Sequence, residues 1–475
     1  MSETYLYADI IRETKPEDLK MLANIKRFFE CMVGDHEFQT EVIENIGGCS
    51  ELLESRGIFG VDATQIIVFI QEASTKIKIS EEDLIDKPQA LLWLDWKKTH
   101  KILRDEWKKG SDQTPNKAFN KWHQRQASRC SSELGAISNN YMVHATIVFE
   151  LSDGCSLHCP FCGLAAEPLK DVFCYTKENE KLWNEVLDVA INRLGSTVGT
   201  GVCYWATDPT DNPDYLEFVS DFGKKTGIYP QGTTAAPMRD IQWTQRMLEF
   251  RKKHITSIDR FSVLSLSMMH RIHETFTSEE LLYTELVLQY VDSMKQSMAR
   301  SGRNRNGTKD IKENEATKDH SIACVTGYLV NMVKGSVQLI SPCPPSEYNP
   351  FGYIVFAEGH FTTAKELDEF IEYSFEQYMS ENIGSEDMLA FRPDLSCDLL
   401  TNGFKISNVH KAHKIEGADY MRKLGELISK GNLSYSQVLD ELSDQNVNIL
   451  LMISTIQNLF SKGLLYDKTI SSGAV

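Results

Sequence analysis

Apolar residues over roughly the first 125 positions recur three and four apart. Leu22-Ala23-Asn24-Ile25-Lys26-Arg27-Phe28-Phe29 and Thr64-Gln65-Ile66-Ile67-Val68-Phe69-Ile70 each gather their apolar side chains on one helical face. A third stripe carries Leu92, Trp93, Trp96 and Trp107. Such a helical aromatic stripe is most often packing, so the tryptophans are expected in a core. From about Tyr141 the pattern changes. Runs rich in β-branched and aromatic residues alternate with helical segments, which predicts a parallel sheet or a (β/α) barrel. Ala145–Leu151 reads as the first strand, and a helix spans Glu178 to Leu194 before Gly195. Val202–Ala206, Gly227–Tyr229 leading to Thr233–Thr234, and Phe261–Ser267 read as the next strands.

After residue 320 the pattern changes again. Ala323–Met332 and Ser336–Ser341, joined by Lys334-Gly335, predict a hairpin rather than another strand–helix step. The barrel is then incomplete or closes irregularly. Ser341-Pro342-Cys343-Pro344-Pro345-Ser346-Glu347 follows, then a strand around Tyr353–Phe356 and a helix from about Ala364 to Met379. Arg300–Asp319 is charged and nearly free of apolar groups, which predicts a surface loop. Near the C-terminus, Leu399–Ile406 reads as a hairpin, with helices at Tyr420–Ser429, Ser434–Leu442 and Ile449–Phe460 before Gly463-Leu464-Leu465. That order is the pattern of a winged helix. The expected fold class is α/β: a helical region over 1–135, a partial (β/α) barrel with a hairpin over 136–385, and a winged-helix-like module over 386–475.

A chain of 475 residues with 41% hydrophobic and 25% charged residues builds packed cores. Its net charge of -17 argues against broad binding to a phosphate backbone, and the last two helices carry almost no positive charge for DNA. No nucleic-acid partner is expected. No signal peptide and no apolar run of 18 residues is present, so neither secretion nor a membrane partner is expected and the cytoplasm fits. Eleven cysteines are present, eight of them scattered: Cys31, Cys49, Cys130, Cys174, Cys203, Cys324, Cys343 and Cys397. Scatter of this kind suits reduced thiols rather than disulfides or further clusters.

The other three are close-set. Cys155-Ser156-Leu157-His158-Cys159-Pro160-Phe161-Cys162 places three thiols in one short loop after the first strand. Such a set usually binds metal. Zinc is one candidate, with His158 as a fourth ligand. An iron–sulfur cube held by three cysteines is the other, and it leaves one iron open to an outside ligand.

Phe161 beside Cys162, the spacing, the preceding strand and Gly154 together resemble the signature of the radical S-adenosylmethionine (SAM) enzymes. The resemblance implies that Cys155, Cys159 and Cys162 hold a [4Fe–4S] cluster, with Phe161 near the adenine of SAM. The family's Gly-Gly-Glu-Pro after the second strand stands here as Ala206-Thr207-Asp208-Pro209, a departure that keeps the carboxylate and the proline. Thr207 and Asp208 are the implied partners of the SAM ammonium, and Ser265 or Ser267, on one face of the predicted strand, of the ribose. Asp-Pro is also an ordinary turn.

Read with the C-terminal module and the Pro342-Cys343-Pro344-Pro345 run, residues 140 to 467 resemble the radical SAM peptide epimerases of the proteusin type. Membership would imply abstraction of an α-hydrogen from L-residues of a ribosomal precursor and return of hydrogen from a thiol on the opposite face. Cys343, stiffened by its prolines, is the implied donor, and Cys324 its main competitor. The partners implied are the precursor peptide, leader and core, and an electron donor such as flavodoxin or ferredoxin. The C-terminal unit resembles leader-binding winged helices, which add the leader as a strand. The segment around Phe28, Asp35, Phe38, Leu52 and Gly57 resembles helical leader regions of precursors themselves. Alternatives are another radical SAM peptide modifier, by C-methylation or cross-linking, and a non-catalytic zinc-binding winged-helix protein.

Overall fold

The computed structural model describes residues 6–75, 78–111, 114–140, 142–290, 293, 300–305, 321–418, 420–443 and 448–467. Its N-terminal region is helical: α1 (Leu6–Glu13), α2 (Pro16–Gly34), α3 (His36–Glu44), α4 (Ser50–Ser55), α5 (Ala63–Ile66), α6 (Val68–Thr75), α7 (Pro88–Ser111), α8 (Lys117–Glu133) and α9 (Gly135–Asn140). Phe28, Phe38, Val42 and Leu53 form one core there, and Trp96 and Leu103 of α7 join Tyr7 and Leu22 in another. The expected packing role of the tryptophans holds for Trp96, with Trp93 and Trp107 half-buried against it. The stretch expected as one helix from Thr64 to Ile70 is two: α5, capped at its start by Asp62, ends at Ile66, and α6 begins at Val68 after a break at Ile67.

β1 (Ala145–Glu150) is buried along its whole length. Ile147, Phe149 and Leu151 pack on one side against Trp183, Val186 and Leu187 of α10 (Lys177–Leu194) and Phe218 and Phe222 of α11 (Tyr215–Thr226). Ala145 and Val148 face the other way, toward Trp205, Val325, Leu329 and Ile340. Burial on both faces explains why β1 reads as a continuous apolar run instead of alternating. After it come the short pair β2 (Ser152–Asp153) and β3 (Asp171–Val172). A parallel sheet follows, in which β4 (Thr233–Thr234), α12 (Ile241–Lys253), β5 (Asp259–Val263), α13 (Leu266–Thr275) and β6 (Thr284–Leu288) alternate.

β7 (Val325–Asn331) returns to pair in parallel with β1, and β8 (Ser336–Pro342) and β9 (Tyr353–His360) extend that sheet antiparallel. The predicted Lys334-Gly335 hairpin is therefore present. Gly335 has φ +57° and lies so close to Phe361 O that a Cβ would sit 2.1 Å away, which fixes glycine at the turn. α14 (Ala364–Tyr378) then covers the outer face through Leu367, Ile371 and Phe375.

Three expected strands differ. Gly227–Tyr229 is not a strand: Gly227, with φ +81°, is the left-handed cap that ends α11, and only Thr233–Thr234 pairs with β5. Val202–Ala206 forms no ladder: it touches β1 through one backbone bond, Phe149 N to Val202 O at 3.0 Å, and reaches β4 through side chains, Thr233 Oγ1 donating to Tyr204 Oη at 2.7 Å. The strand expected over Phe261–Ser267 stops at Val263. Ser265 caps α13, accepting from Met268 N at 3.1 Å, and Ser267 stands in the first helical turn. Serine with free side-chain oxygen competes well for orphan helix donors, which ends the strand. The described strands form four separate sheets, none of them closed.

The C-terminal unit contains β10 (Ser396–Leu400), β11 (Gly403–Ser407) and β12 (Ala412–Glu416) as an antiparallel meander, then α15 (Met421–Lys430), α16 (Tyr435–Ser443) and α17 (Ile449–Ser461). Phe404, Ile406, Leu424, Ile428, Met452 and Ile456 make its own core. β12 extends the expected hairpin by a strand. Among the described residues no helix is long and apolar enough to cross a membrane.

Candidate functional site

The three-cysteine loop leaves the carboxyl end of β1 through Gly154. With φ +87° and a would-be Cβ only 2.3 Å from Pro168 O, this residue has to be glycine. Cys155 N donates to Glu167 O at 2.8 Å and Cys162 N to Cys159 O at 3.1 Å, so the loop turns back on itself. Cys155, Cys159 and Cys162 are free and half-buried, while His158, with φ 47°, is exposed. Phe161 is half-buried in the same turn.

Two clamps hold the loop. Arg303 donates from Nε to Cys159 O (3.1 Å), from its backbone N to Cys162 O (3.0 Å) and from Nη1 to Ala166 O (2.8 Å). On the other side, Ser156 is tied to Asp211, and Arg239 bridges them, donating to Asp211 Oδ1 and Ser156 Oγ at 2.7 Å each. Arg303 lies in the segment whose polarity predicts only a surface loop. Its role has no local sequence signal, because it acts on carbonyls more than 130 positions away. The remainder of that segment, 306–319, is outside the described residues.

Burial, with Asp208, Asp211 and Cys159 nearby, pushes the Cys155 thiol up to about 12, and burial with Cys162 nearby also raises Cys159. Among the described residues no three His, Cys, Asp or Glu side chains already stand as a metal cage. The donor chemistry nevertheless fits: three soft thiols share one anchored loop, and an incoming metal would displace their protons as it closed the site.

The Ala206–Asp208 turn is held by two carboxylates, one from β1 and one its own. Glu150, the last residue of β1, is buried and its pKa is raised by that burial; it accepts from Ala206 N at 2.8 Å and Asn331 Nδ2 at 2.9 Å. It thereby joins β1, β7 and the turn, a role the sequence pattern did not reveal. Asp208 is 5% exposed and caps the short helical turn Pro209–Asp211. Its Oδ1 accepts from Thr210 N (3.0 Å), Thr210 Oγ1 (2.7 Å) and Thr234 Oγ1 (2.8 Å), and its Oδ2 from Ala235 N (2.8 Å). The turn role of Asp208 is thus fully expressed, and one lone pair on Oδ2 is left for another donor. Thr207 is half-buried beside it, whereas Ser265 and Ser267 are exposed at the start of α13.

Cys343 follows β8 in a held turn. Its N donates to Gly352 O at 2.9 Å, and its side chain is 4% exposed. Burial raises its pKa well above the thiol range, and Arg129, Glu133 and Cys130 of α8 are its charged or titratable neighbours. Because β8 runs antiparallel to β7, Cys343 stands at the end of the sheet where β1 begins, opposite the end from which the cysteine loop leaves. The connection it opens still reaches that loop: Gly302 N donates to Pro350 O at 2.7 Å, next to the Arg303 clamp. Cys324 is half-buried on the Trp205 and Tyr353 side of the sheet. Burial raises its pKa, with Arg260 acting in the opposite direction.

The chain is similar to the uncharacterized protein y4wI of Sinorhizobium fredii (strain NBRC 101917 / NGR234), with 32% identity over 472 residues, 97% of this chain and 90% of that protein. No family model matches, and no solved structure matches.

Proposed function

We propose that this chain, which belongs to one family with protein y4wI, is a radical SAM peptide epimerase converting L-residues of a ribosomally made precursor to D-residues. The observation that carries the reading is the clamped loop at the carboxyl end of β1, where three free thiols share one turn beside the Ala206–Asp208 segment. In this reading Cys155, Cys159 and Cys162 hold a [4Fe–4S] cluster. Thr207 and Asp208 receive the ammonium of SAM, Phe161 lies along its adenine, and Ser265 or Ser267 meets its ribose. The bound groups supply a carbon-centred radical able to remove an α-hydrogen. Arg303, Asp211 and Arg239 keep the loop in place and Glu150 holds the turn against β1.

Cys343 gives the hydrogen atom of its S–H bond to the planar α-carbon, and one electron and one proton from outside return the sulfur to a thiol; the held turn around it suits a donor that must not wander. The C-terminal unit takes the leader, and a flavodoxin- or ferredoxin-like protein supplies electrons. The site of action is the cytoplasm.

The test has two stages. Anaerobic reconstitution should give a brown protein with about four irons per chain, and none in the Cys155→Ala/Cys159→Ala/Cys162→Ala variant. Zinc without iron would overturn the reading. Co-expression with the precursor in deuterium oxide should then add one mass unit per inverted residue. Cys343→Ala should release 5′-deoxyadenosine without forming D-residues, while Cys324→Ala keeps forming them. The opposite pattern moves the donor to Cys324.

A further inference from the structure

Two arginines and a glutamate are enclosed where three distant segments meet. Arg129 and Arg392 are 2% and 4% exposed, and Glu133, between them, pairs with both. The Glu133–Arg392 contact is 3.3 Å. Removing three charges from water is costly, and well-packed apolar residues would stabilise such a joint at least as well. What a charged joint adds is a specific register between the parts it connects.

Those parts can be named. On one side Arg129 Nη2 donates to Ser341 Oγ at 2.9 Å and to Pro342 O at 2.7 Å, and the Cys130 thiol donates to the same Pro342 carbonyl at 3.0 Å. The peptide group immediately before Cys343 is therefore held from α8, while Gly352 O holds the amide of Cys343 itself. On the other side Arg392 donates to Ser132 Oγ at 3.1 Å, pairs with Asp394 at 2.9 Å and donates to Gly463 O. Asn408 adds bonds to Ser132 O at 2.8 Å and Asp394 Oδ2 at 2.9 Å. Asp394, Asn408 and Gly463 belong to the C-terminal unit.

We infer that Arg129, Glu133 and Arg392 are positioning residues that set the Pro342–Cys343 turn in register with the docked C-terminal unit. Placement of the Cys343 thiol then depends on a unit that lies outside the central sheet. The consequence for catalysis rests on the reading above, in which Cys343 returns hydrogen and the C-terminal unit takes the leader. The joint itself does not.

The test uses the full chain, first without cofactors. Glu133→Gln keeps the shape and removes the charge, and Arg392→Met removes the link to the C-terminal unit. Labelling by N-ethylmaleimide is followed at each cysteine by mass spectrometry, with buried Cys203 of the central core as reference. With rates expressed per thiolate from the pH dependence of labelling, Cys343 should label about tenfold faster in both variants while Cys203 changes less than about twofold, the signature of local rather than global opening. Unchanged Cys343 labelling, or a parallel rise at Cys203, overturns the inference. If Arg392→Met does not fold, the Glu133→Gln measurement decides alone.

The loaded enzyme gives a second readout. Glu133→Gln should release more 5′-deoxyadenosine per D-residue formed, with leader affinity preserved, because a misplaced thiol quenches the substrate radical less often. A parallel fall in both products at an unchanged ratio would reduce the triad to scaffold and overturn the catalytic role. Absence of D-residues from the unaltered protein would instead overturn the proposed function and leave the labelling result standing.

Discussion

Asp211 accepts both hydrogen-bond donors of Ser156, the backbone N–H at 2.9 Å and the hydroxyl at 2.5 Å. The residue next to Cys155 is thereby fixed to the turn that follows Asp208. Arg239 completes the arrangement with a 2.7 Å ion pair to Asp211, whose side chain is 1% exposed.

Asp211→Ala removes this tether and leaves Arg239 without its carboxylate. Iron retained per chain after reconstitution and desalting is expected to fall by at least about half, since a loosened loop must be ordered by the metal itself. Thermal stability should drop by only about 1–2 kcal/mol, the scale of a few partly exposed hydrogen bonds. Iron content equal to that of the unaltered protein would show that the loop does not need the tether.

Asp208→Asn replaces an acceptor by an amide that must present either N–H groups or one oxygen to four donors. Loss of about 1–3 kcal/mol in unfolding free energy is expected from the donors left unmatched. If Asp208 also receives the SAM ammonium, SAM binding measured on the folded variant falls by more than about tenfold, the scale of a lost charge-assisted bond. Unchanged SAM affinity with reduced stability would confine Asp208 to its turn.

The C-terminal unit exposes an apolar run at the start of α17, with Ile449, Leu450 and Leu451 at 50%, 77% and 48% exposure. Leu450→Asp should leave folding intact, because the side chain is already in water. It should weaken binding of the full-length precursor by about fivefold, the value of one apolar contact of this size, without changing binding of a leaderless core peptide. Fluorescence anisotropy with both peptides checks this, and equal effects on the two would argue against leader recognition by this face.

Burial pulls His144 down to about 3 and His100 down to about 4. Both are neutral in the folded protein near pH 6, where the unfolded chain already binds protons. Their folded-state values lie below the unfolded value near 6.5, so their contribution is complete above that pH and declines as pH falls. At pH 5 the loss is about 2 kcal/mol for each. Carboxyl groups raised by burial, Glu150 among them, act with the opposite sign. The histidine part is therefore read as a difference: His144→Gln should lose less stability than the unaltered protein between pH 7 and pH 5. Equal losses in the two would mean that His144 binds its proton as readily in the folded protein as in the unfolded chain.

Periodic elements were legible. The helical stripes, β1, the Lys334-Gly335 hairpin, α14 and the three terminal helices follow from spacing and turn chemistry that act within a few residues. The cysteine loop was equally plain, because its chemistry lies in one short stretch. Ser267 and Val202–Ala206 misled for one reason: apolar and hydroxyl residues suit strands, but a helix cap at Ser265 and attachment to two different sheets decided otherwise. β12 was not anticipated because Ala412-His413-Lys414-Ile415-Glu416 is short, mostly polar and largely exposed.

By itself the sequence determined where the candidate groups stand along the chain: three thiols in one loop, an Asp-Pro turn after it, and a cysteine among prolines. Tertiary structure alone decided what holds them. Arg303 clamps Cys159 and Cys162, Glu150 takes the Ala206 amide, and Arg129 grips the carbonyl before Cys343. Each of these partners comes from a distant part of the chain and acts on main-chain groups, which every residue possesses. Such contacts leave no mark in spacing or composition, since one partner is the backbone and the other is chosen by the fold.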